Sequence, residues 1–366
     1  MPGSAAGHDA GGAAIDDPRC RPLPSPAMDT GRPGPLNLIT DIAGLRVGNA
    51  EDQIALTGVT VLIPDEATVA ACDIRGGAPG TREMDALDPA SLVDSIHGVV
   101  LSGGSVFGLE AASGVVEFLA GRGVGFAFGA QPLLCPVIPS AILFDLANGG
   151  DKAWGTAPYR ALGRQACEAA GAQFALGNAG AGLGATAGRF KGGLGSASLV
   201  WRGLTLGALV AVNSFGSPAD PLTGDLWAGP YAMAGEYPEG HSIAAGFRPP
   251  GAWTKAERAR GADAGANTTV AIIATDAALV RAEARRLAIM AGDGMARALR
   301  PVHTPFDGDS VVALATGKLP IEGPRGYALA MLGALAADTL ARAIGRAIWQ
   351  AESIPGWPAF REPRET

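Results

Sequence analysis

The sequence predicts an α/β fold, and three observations carry that reading. Strand-like and helix-like stretches alternate along most of the chain. Apolar residues make up 48% and charged residues 17%, enough for a large buried core. Glycine occurs 54 times without a repeating period, which points to tight turns and close backbone contacts rather than a fibre. At 366 residues the chain has room for one large domain or two ordinary ones.

Residues 1–36 are rich in Gly, Ala, Pro and Asp and read as a disordered tail. The folded part starts at "LNLITDIAGLRVGNAED". "GVTVLIP" (58–64) and "ATVAACDI" (67–74) are strands joined by the turn Asp65-Glu66. "HGVVLSGGS" (97–105) is a buried strand running into a glycine turn. Behind it, Val106, Leu109, Val116 and Leu119 recur at helical spacing until the chain meets glycine. "LTLGALVAVNSFG" (204–216) is a hydrophobic strand ending in a polar turn. From Pro218 to Asn267 the chain is irregular. It carries Trp227, Tyr231, Tyr237, Phe247 and Trp253, then the polar "TKAERARGADAGAN", and reads as a surface excursion. Regularity returns with a strand over 268–275 and a helix near 277–299, striped by Val280, Ala284, Leu287, Ala291 and Met295. A strand over 310–317 and a long helix near 325–349 follow. No internal repeat is visible.

Composition also excludes function classes. A net charge of −7 argues against nucleic acid as a partner. No basic block suggests membrane attachment, and no stretch reads as long and apolar enough to span a bilayer. The N-terminus lacks the charged and apolar regions of a signal peptide. Cys20, Cys72, Cys135 and Cys167 are scattered without a CxxC pair, so neither a zinc site nor a disulfide framework is expected. Reduced thiols suit a cytoplasmic chain.

Familiar catalytic motifs are missing. "LSGGS" (101–105) is no nucleophile elbow, "NAGAGLGATAG" (178–188) is only a loose dinucleotide fingerprint, and Gly317-Lys318 leads into Leu319 rather than Ser or Thr. His97, His241 and His303 show no ligand spacing and read as structural, His303 least clearly because of its neighbours. "FDGDS" (306–310) places two carboxylates in a turn before a strand. The junction "GANTTVAIIATD" admits two readings. One is a threonine pair at a strand edge. The other is a nucleophile: a hydroxyl needs a base, and an N-terminal threonine carries its own in a free α-amine with pKa near ~8. A chain that cuts itself before Thr268 would generate that amine.

Here the sequence resembles the DmpA-like aminopeptidases and nylon-oligomer hydrolases, which are self-processing N-terminal-nucleophile amidohydrolases. The resemblance runs from about Leu36 to Gly345. It rests on "TDIAGLRVGN", "RGGAPGTRE", "LSGGSVFGLEAASGV", "PSAILFD", "DKAWGTAP", "GNAGAGLGATAGRFKGGLGSAS", "AVNSFG", "GANTTVAIIATD" and "HTPFDGDSVVALATG". It implies a single αββα four-layer sandwich over 37–350, cut into an α-chain (1–267) and a β-chain (268–366). By the same resemblance Thr268 is the nucleophile and Asn267 the residue before the cut. Asp307 and Asp309 bond to the nucleophile's amine and to each other, and the Asn213 amide stabilises the oxyanion. Either Arg189 or Lys191 supplies a positive charge. Phe144 stands in a substrate-binding segment where the family has tyrosine.

The resemblance also implies hydrolysis of amides in amino-acid-derived oligomers without metal or cofactor, by a homo-oligomer, most simply a tetramer, of αβ units. The alternatives are an aminopeptidase for D- or β-amino acids, an acetyl transferase of the ornithine acetyltransferase type, and an unprocessed scaffold.

Overall fold

The protein is described by a computed structural model covering residues 31–129, 132–233, 235–237, 252–255 and 267–362. Its main strands are β1 (Leu45–Asp52), β2 (Thr57–Pro64), β3 (Val69–Ile74), β4 (Thr81–Arg82), β5 (Val99–Ser102), β6 (Ser140–Ile142), β7 (Gly193–Trp201), β8 (Leu204–Asn213), β9 (Thr268–Ala277) and β10 (Ser310–Leu319). Four helices join them: α1 (Ala111–Ala120), α2 (Tyr159–Glu168), α3 (Arg281–Ala298) and α4 (Arg325–Gln350). One five-stranded sheet has the order β1-β2-β5-β6-β4, the other β7-β8-β9-β10-β3. Most neighbours are antiparallel, while β5 with β6 and β9 with β10 run parallel.

The sheets pack face to face, each covered by helices. Val47, Leu62 and Leu101 of the first sheet meet Leu209, Ala211, Val270, Ile272 and Val312 of the second. The first sheet's outer face, with Val59, Val61 and Val100, lies under Val115 and Phe118 of α1 and Leu162 and Ala166 of α2. The second sheet turns Val210, Ala271, Ile273 and Ala313 towards Leu287 and Met295 of α3 and Leu340 and Ile344 of α4. This is the four-layer α/β/β/α order. Successive residues of β9 therefore feed two different cores, and all ten are buried. That explains its unbroken apolar run, each full-sized side chain contributing about 1.5–3 kcal/mol by leaving water.

Several expectations need correction. Val106 is 64% exposed in a 3₁₀ turn, and α1 begins five residues later on a different stripe. Val280 is 60% exposed at the head of α3, where the Glu283 carboxylate accepts its N–H at 2.9 Å. α4 does have the length and composition to cross a membrane, with a mean hydropathy of 1.4, although 67% of that stretch is buried in the body. Residues 31–36, read as tail, are built onto β7: Arg32 pairs with Val200, and the Gly34 N–H donates to Ser198 Oγ at 3.0 Å.

The glycines of "KGGLGSAS" have a packing reason. A Cβ at Gly195 would lie 2.0 Å from the Ala343 carbonyl oxygen and 2.8 Å from Ala347 Cβ, so α4 sits directly on the β7 backbone. Gly195→Ala is expected to cost about 1–3 kcal/mol by overpacking. Gly155→Ala, whose new methyl meets nothing within 4 Å, is the control. Thermal unfolding should show a lowered midpoint for the first variant alone, and equal midpoints would contradict this packing argument.

Candidate active site

The site forms where β9 begins beside β10. Their parallel register starts at Val270–Ser310, and just upstream Asn267 bridges to Asp307. The Gly308 N–H donates to the Asn267 carbonyl oxygen at 3.0 Å. The Thr268 hydroxyl donates to that same oxygen. Both junction residues are almost wholly buried, Asn267 3% and Thr268 2% exposed. A Cβ at Gly308 would stand 2.7 Å from Thr268 Oγ1 and 2.8 Å from the Ala78 carbonyl, so only glycine fits the middle of Asp-Gly-Asp.

The "RGGAPG" loop supports this turn from below. The N–H groups of Arg75 and Gly76 donate to the Asp309 carbonyl at 3.0 and 3.1 Å, and that of Ala78 to the Asp307 carbonyl at 2.9 Å. Two motifs far apart in sequence are thus one backbone unit.

The two carboxylates serve different partners and do not bond to each other. Asp309 Oδ1 accepts the Thr269 N–H at 2.7 Å, which ties down the head of β9. Its Oδ2 accepts the His303 N–H at 3.0 Å and lies 2.8 Å from His303 Nδ1. His303 thus belongs to the site's frame, and its Nε2 is buried without a hydrogen-bond partner. Asp307 accepts the Phe215 N–H at 3.1 Å and the Thr304 N–H at 3.0 Å. Burial pushes the Asp307 carboxyl above the usual range, and the Asp309 charge adds to that.

Asn213 stands opposite Thr268 in the β8–β9 ladder. Its Oδ1 accepts the Thr186 N–H at 3.0 Å and the Thr186 hydroxyl at 3.2 Å. Its Nδ2 donates to the Phe144 carbonyl at 2.9 Å. One backbone donor and one backbone acceptor leave a single way round for the amide. Phe144 therefore enters the site through its main chain. Lys191 and Arg189 part company: Lys191 is fully buried and donates to the Gly182 and Gly192 carbonyls at 2.8 and 3.2 Å. Arg189 is exposed, with its guanidinium 5.2 Å from the Trp253 ring centre. Lys191 is the buried charge beside the site, although its hydrogen bonds do not reach the junction.

The residue the sequence hid is Lys255. Its Nζ donates to Asn213 Oδ1 at 3.1 Å and to the Asn213 carbonyl at 3.3 Å. Nothing in "TKAERAR" separates it from a solvated charge run. Among the described residues no group of three or more His, Cys, Asp or Glu gathers as metal ligands.

The two threonines are buried at the head of an interior strand rather than at a sheet edge, and the arrangement is that of a buried hydroxyl donating to the carbonyl of the preceding residue. The model of Peptidase family S58 matches residues 37–359, and the chain belongs to that family. An uncharacterised aminopeptidase of Mycobacterium tuberculosis is 41% identical, over 89% of this chain and 98% of its own length. A 6-aminohexanoate-oligomer endohydrolase of Kocuria sp. is 29% identical, over 81% of this chain and 79% of its own. The solved L-aminopeptidase D-Ala-esterase/amidase of Ochrobactrum anthropi, described as a variant of the Ntn hydrolase fold, superposes with a TM-score of 0.62 at 21% identity, covering 89% and 90% of the two chains. The fold is of that type, and the chain is a hydrolase acting on amide bonds. The scaffold alternative falls with that finding.

Burial holds the Lys191 ammonium down to about 7, with the Asp145 charge opposing the shift. The unfolded chain then binds more protons than the folded one between about 7 and the ordinary value of 10.5, so this group makes stability rise with pH across that window. Thermal midpoints should climb from about pH 7 to about pH 9 in the wild type and climb less in Lys191→Met. Parallel slopes for the two proteins would refute the assignment.

Proposed function

We propose that the chain cuts itself between Asn267 and Thr268 and then uses Thr268 as an N-terminal nucleophile against the amide bonds of linear amino-acid-derived oligomers. The observation that carries this is the Asn267 carbonyl held by two donors, the Gly308 N–H and the Thr268 hydroxyl. In the precursor, Thr268 Oγ attacks the Asn267 carbonyl carbon. The Gly308 N–H supports the oxygen as it gains charge. The C–N bond breaks, the hydroxyl proton ends on the departing Thr268 nitrogen, and an ester remains. Water hydrolyses that ester to an Asn267 carboxylate and a free Thr268 α-amine.

The mature reaction repeats the chemistry on substrate. The α-amine takes the Oγ proton as Oγ attacks the amide carbonyl, and Asn213 stabilises the oxyanion. The amine gives the proton to the leaving group, and water releases the acyl-enzyme. Asp309, bonded to the next N–H along, fixes the strand that carries the nucleophile.

The mycobacterial relative's name favours a second reading, an aminopeptidase. A panel of aminohexanoate oligomers, β-amino-acid peptides and amino-acid amides separates the two.

Thr268→Ala is expected to stay folded, uncut and inactive, whereas Thr268→Ser keeps a hydroxyl and should still be cut. Thr269→Val should also be cut: the Thr269 hydroxyl is buried without a partner, so replacing it with a methyl costs little. N-terminal sequencing of the small wild-type fragment should read Thr-Thr-Val-Ala-Ile. A different start, or a cut and active Thr268→Ala protein, would show that another residue is the nucleophile. Activity lost to EDTA and restored by zinc would sink the metal-free scheme.

A further inference from the structure

Lys255 is held in place from several sides. Its backbone N–H donates to the Phe215 carbonyl at 3.1 Å. Trp253, two residues earlier, packs edge-on against Phe190 with ring centres 5.8 Å apart, beneath the Arg189 guanidinium. Thr254 between them is fully buried. A Cβ at Gly188 would lie 2.4 Å from the Trp253 carbonyl oxygen, so the "GATAGRF" turn is shaped to receive this segment. Trp253 itself adopts φ +57°, a backbone state that a bulky residue keeps only when its surroundings impose it. The segment 252–255 is therefore a seated strap, and its product is one ammonium placed against Asn213.

We propose that Lys255 is a positioning residue of the active site, whose ammonium, delivered by this strap, fixes and polarises the Asn213 amide. This rests on the reading of Thr268 and Asn213 given above. A charge-assisted donor on Oδ1 draws electrons from the amide and strengthens its N–H groups as donors. One of them donates to the Phe144 carbonyl, and the other is the group that would stabilise the oxyanion. Oδ1 also carries the Thr186 N–H, so Lys255 adds polarisation to an amide already oriented. Burial lowers the Lys255 ammonium to about 7, and the Asp307 charge is what opposes that fall.

Lys255 as a residue is half-buried while its ammonium end is buried, so a small amine has to enter by the exposed part of the side chain's path to rescue a truncation. Lys255→Ala removes three methylenes and the ammonium, and n-propylammonium has the same make-up. Removing an oxyanion donor outright costs roughly 10²–10³-fold in kcat, so removing what polarises it should cost about tenfold. The expected result is a kcat reduced about tenfold with KM within about twofold, restored by n-propylammonium and not by n-propanol or tetramethylammonium. Lys255→Met, which keeps the stem, should show the same loss without rescue. If Lys255→Ala stays uncut, n-propylammonium should restore cutting in the same order of preference. A wild-type kcat in both variants, or rescue by n-propanol equal to that by the ammonium, would overturn the proposal. Thr268→Ala, assayed in parallel, keeps the failures apart. An active Thr268→Ala overturns the nucleophile, while an inactive one beside an unaffected Lys255→Ala overturns Lys255 alone.

Discussion

The site depends on one backbone hydrogen bond, from the Gly308 N–H to the Asn267 carbonyl. It lies at the upstream end of the parallel β9–β10 pair, where the ladder has narrowed to the single Asn267–Asp307 bridge. It holds the peptide bond before Thr268 against a turn that cannot carry a side chain at its centre. The other features serve this contact. Gly76 is glycine because a Cβ there would fall 2.3 Å from the Asp307 carbonyl oxygen. Asp309 binds the Thr269 N–H, so the residue after the hydroxyl cannot drift. β9 is buried on both faces, which anchors the hydroxyl more firmly than a loop could.

The electrostatic arrangement costs stability. Asp145, Lys191 and Asp307 are almost wholly buried, and each is held away from its ordinary titration in the direction that disfavours charge. A core built for stability alone would replace such groups with apolar ones. Opposite charges offset part of the cost, the Asp145 charge favouring the Lys191 ammonium and the Asp307 charge that of Lys255. Asp145 is further held by the Thr57 hydroxyl at 2.6 Å and the Gly104 N–H at 2.7 Å. On the proposed reading, the part of this expense that falls at Asp307 lies beside the nucleophile, and functional sites are where natural folds carry such costs.

Much of this was legible beforehand, for identifiable reasons. β9 and β10 announce themselves because strands buried on both faces need continuous β-branched and apolar runs. The threonine junction stood out because a glycine- and alanine-rich loop met such a run abruptly. Asp-Gly-Asp read equally well as a turn, since turn chemistry and site chemistry use the same residues. What could not be read was distance across the sheets. Lys255 and a solvated lysine look alike in a charge run. Arg189 and Lys191 differ by two positions, but one lies before and one after the buried Phe190, and the pairing of 190–191 with 186–187 sends them to different environments. Val106 and Val280 kept helical spacing yet fell just outside their helices, because periodicity does not mark where a helix begins.

The same geometry bears on the order of events. The carbonyl before Thr268 is gripped only after β10 has docked beside β9, and Asn213 stands opposite only after β8 has paired on the other side. These contacts join Asn213 with Thr268, 55 residues on, and Asn267 with Asp307, 40 residues on, so they belong to the assembled sheet and not to a local hairpin. The strap adds a further condition, because its seat uses both the Gly188 turn and Asn213. On the proposed reading, a chain that has not folded has no polarised carbonyl, no fixed hydroxyl and no ammonium at Asn213. Self-cleavage then follows folding and reports on it. By the same proposal, the free amine would appear only in molecules whose sheets are already correctly assembled.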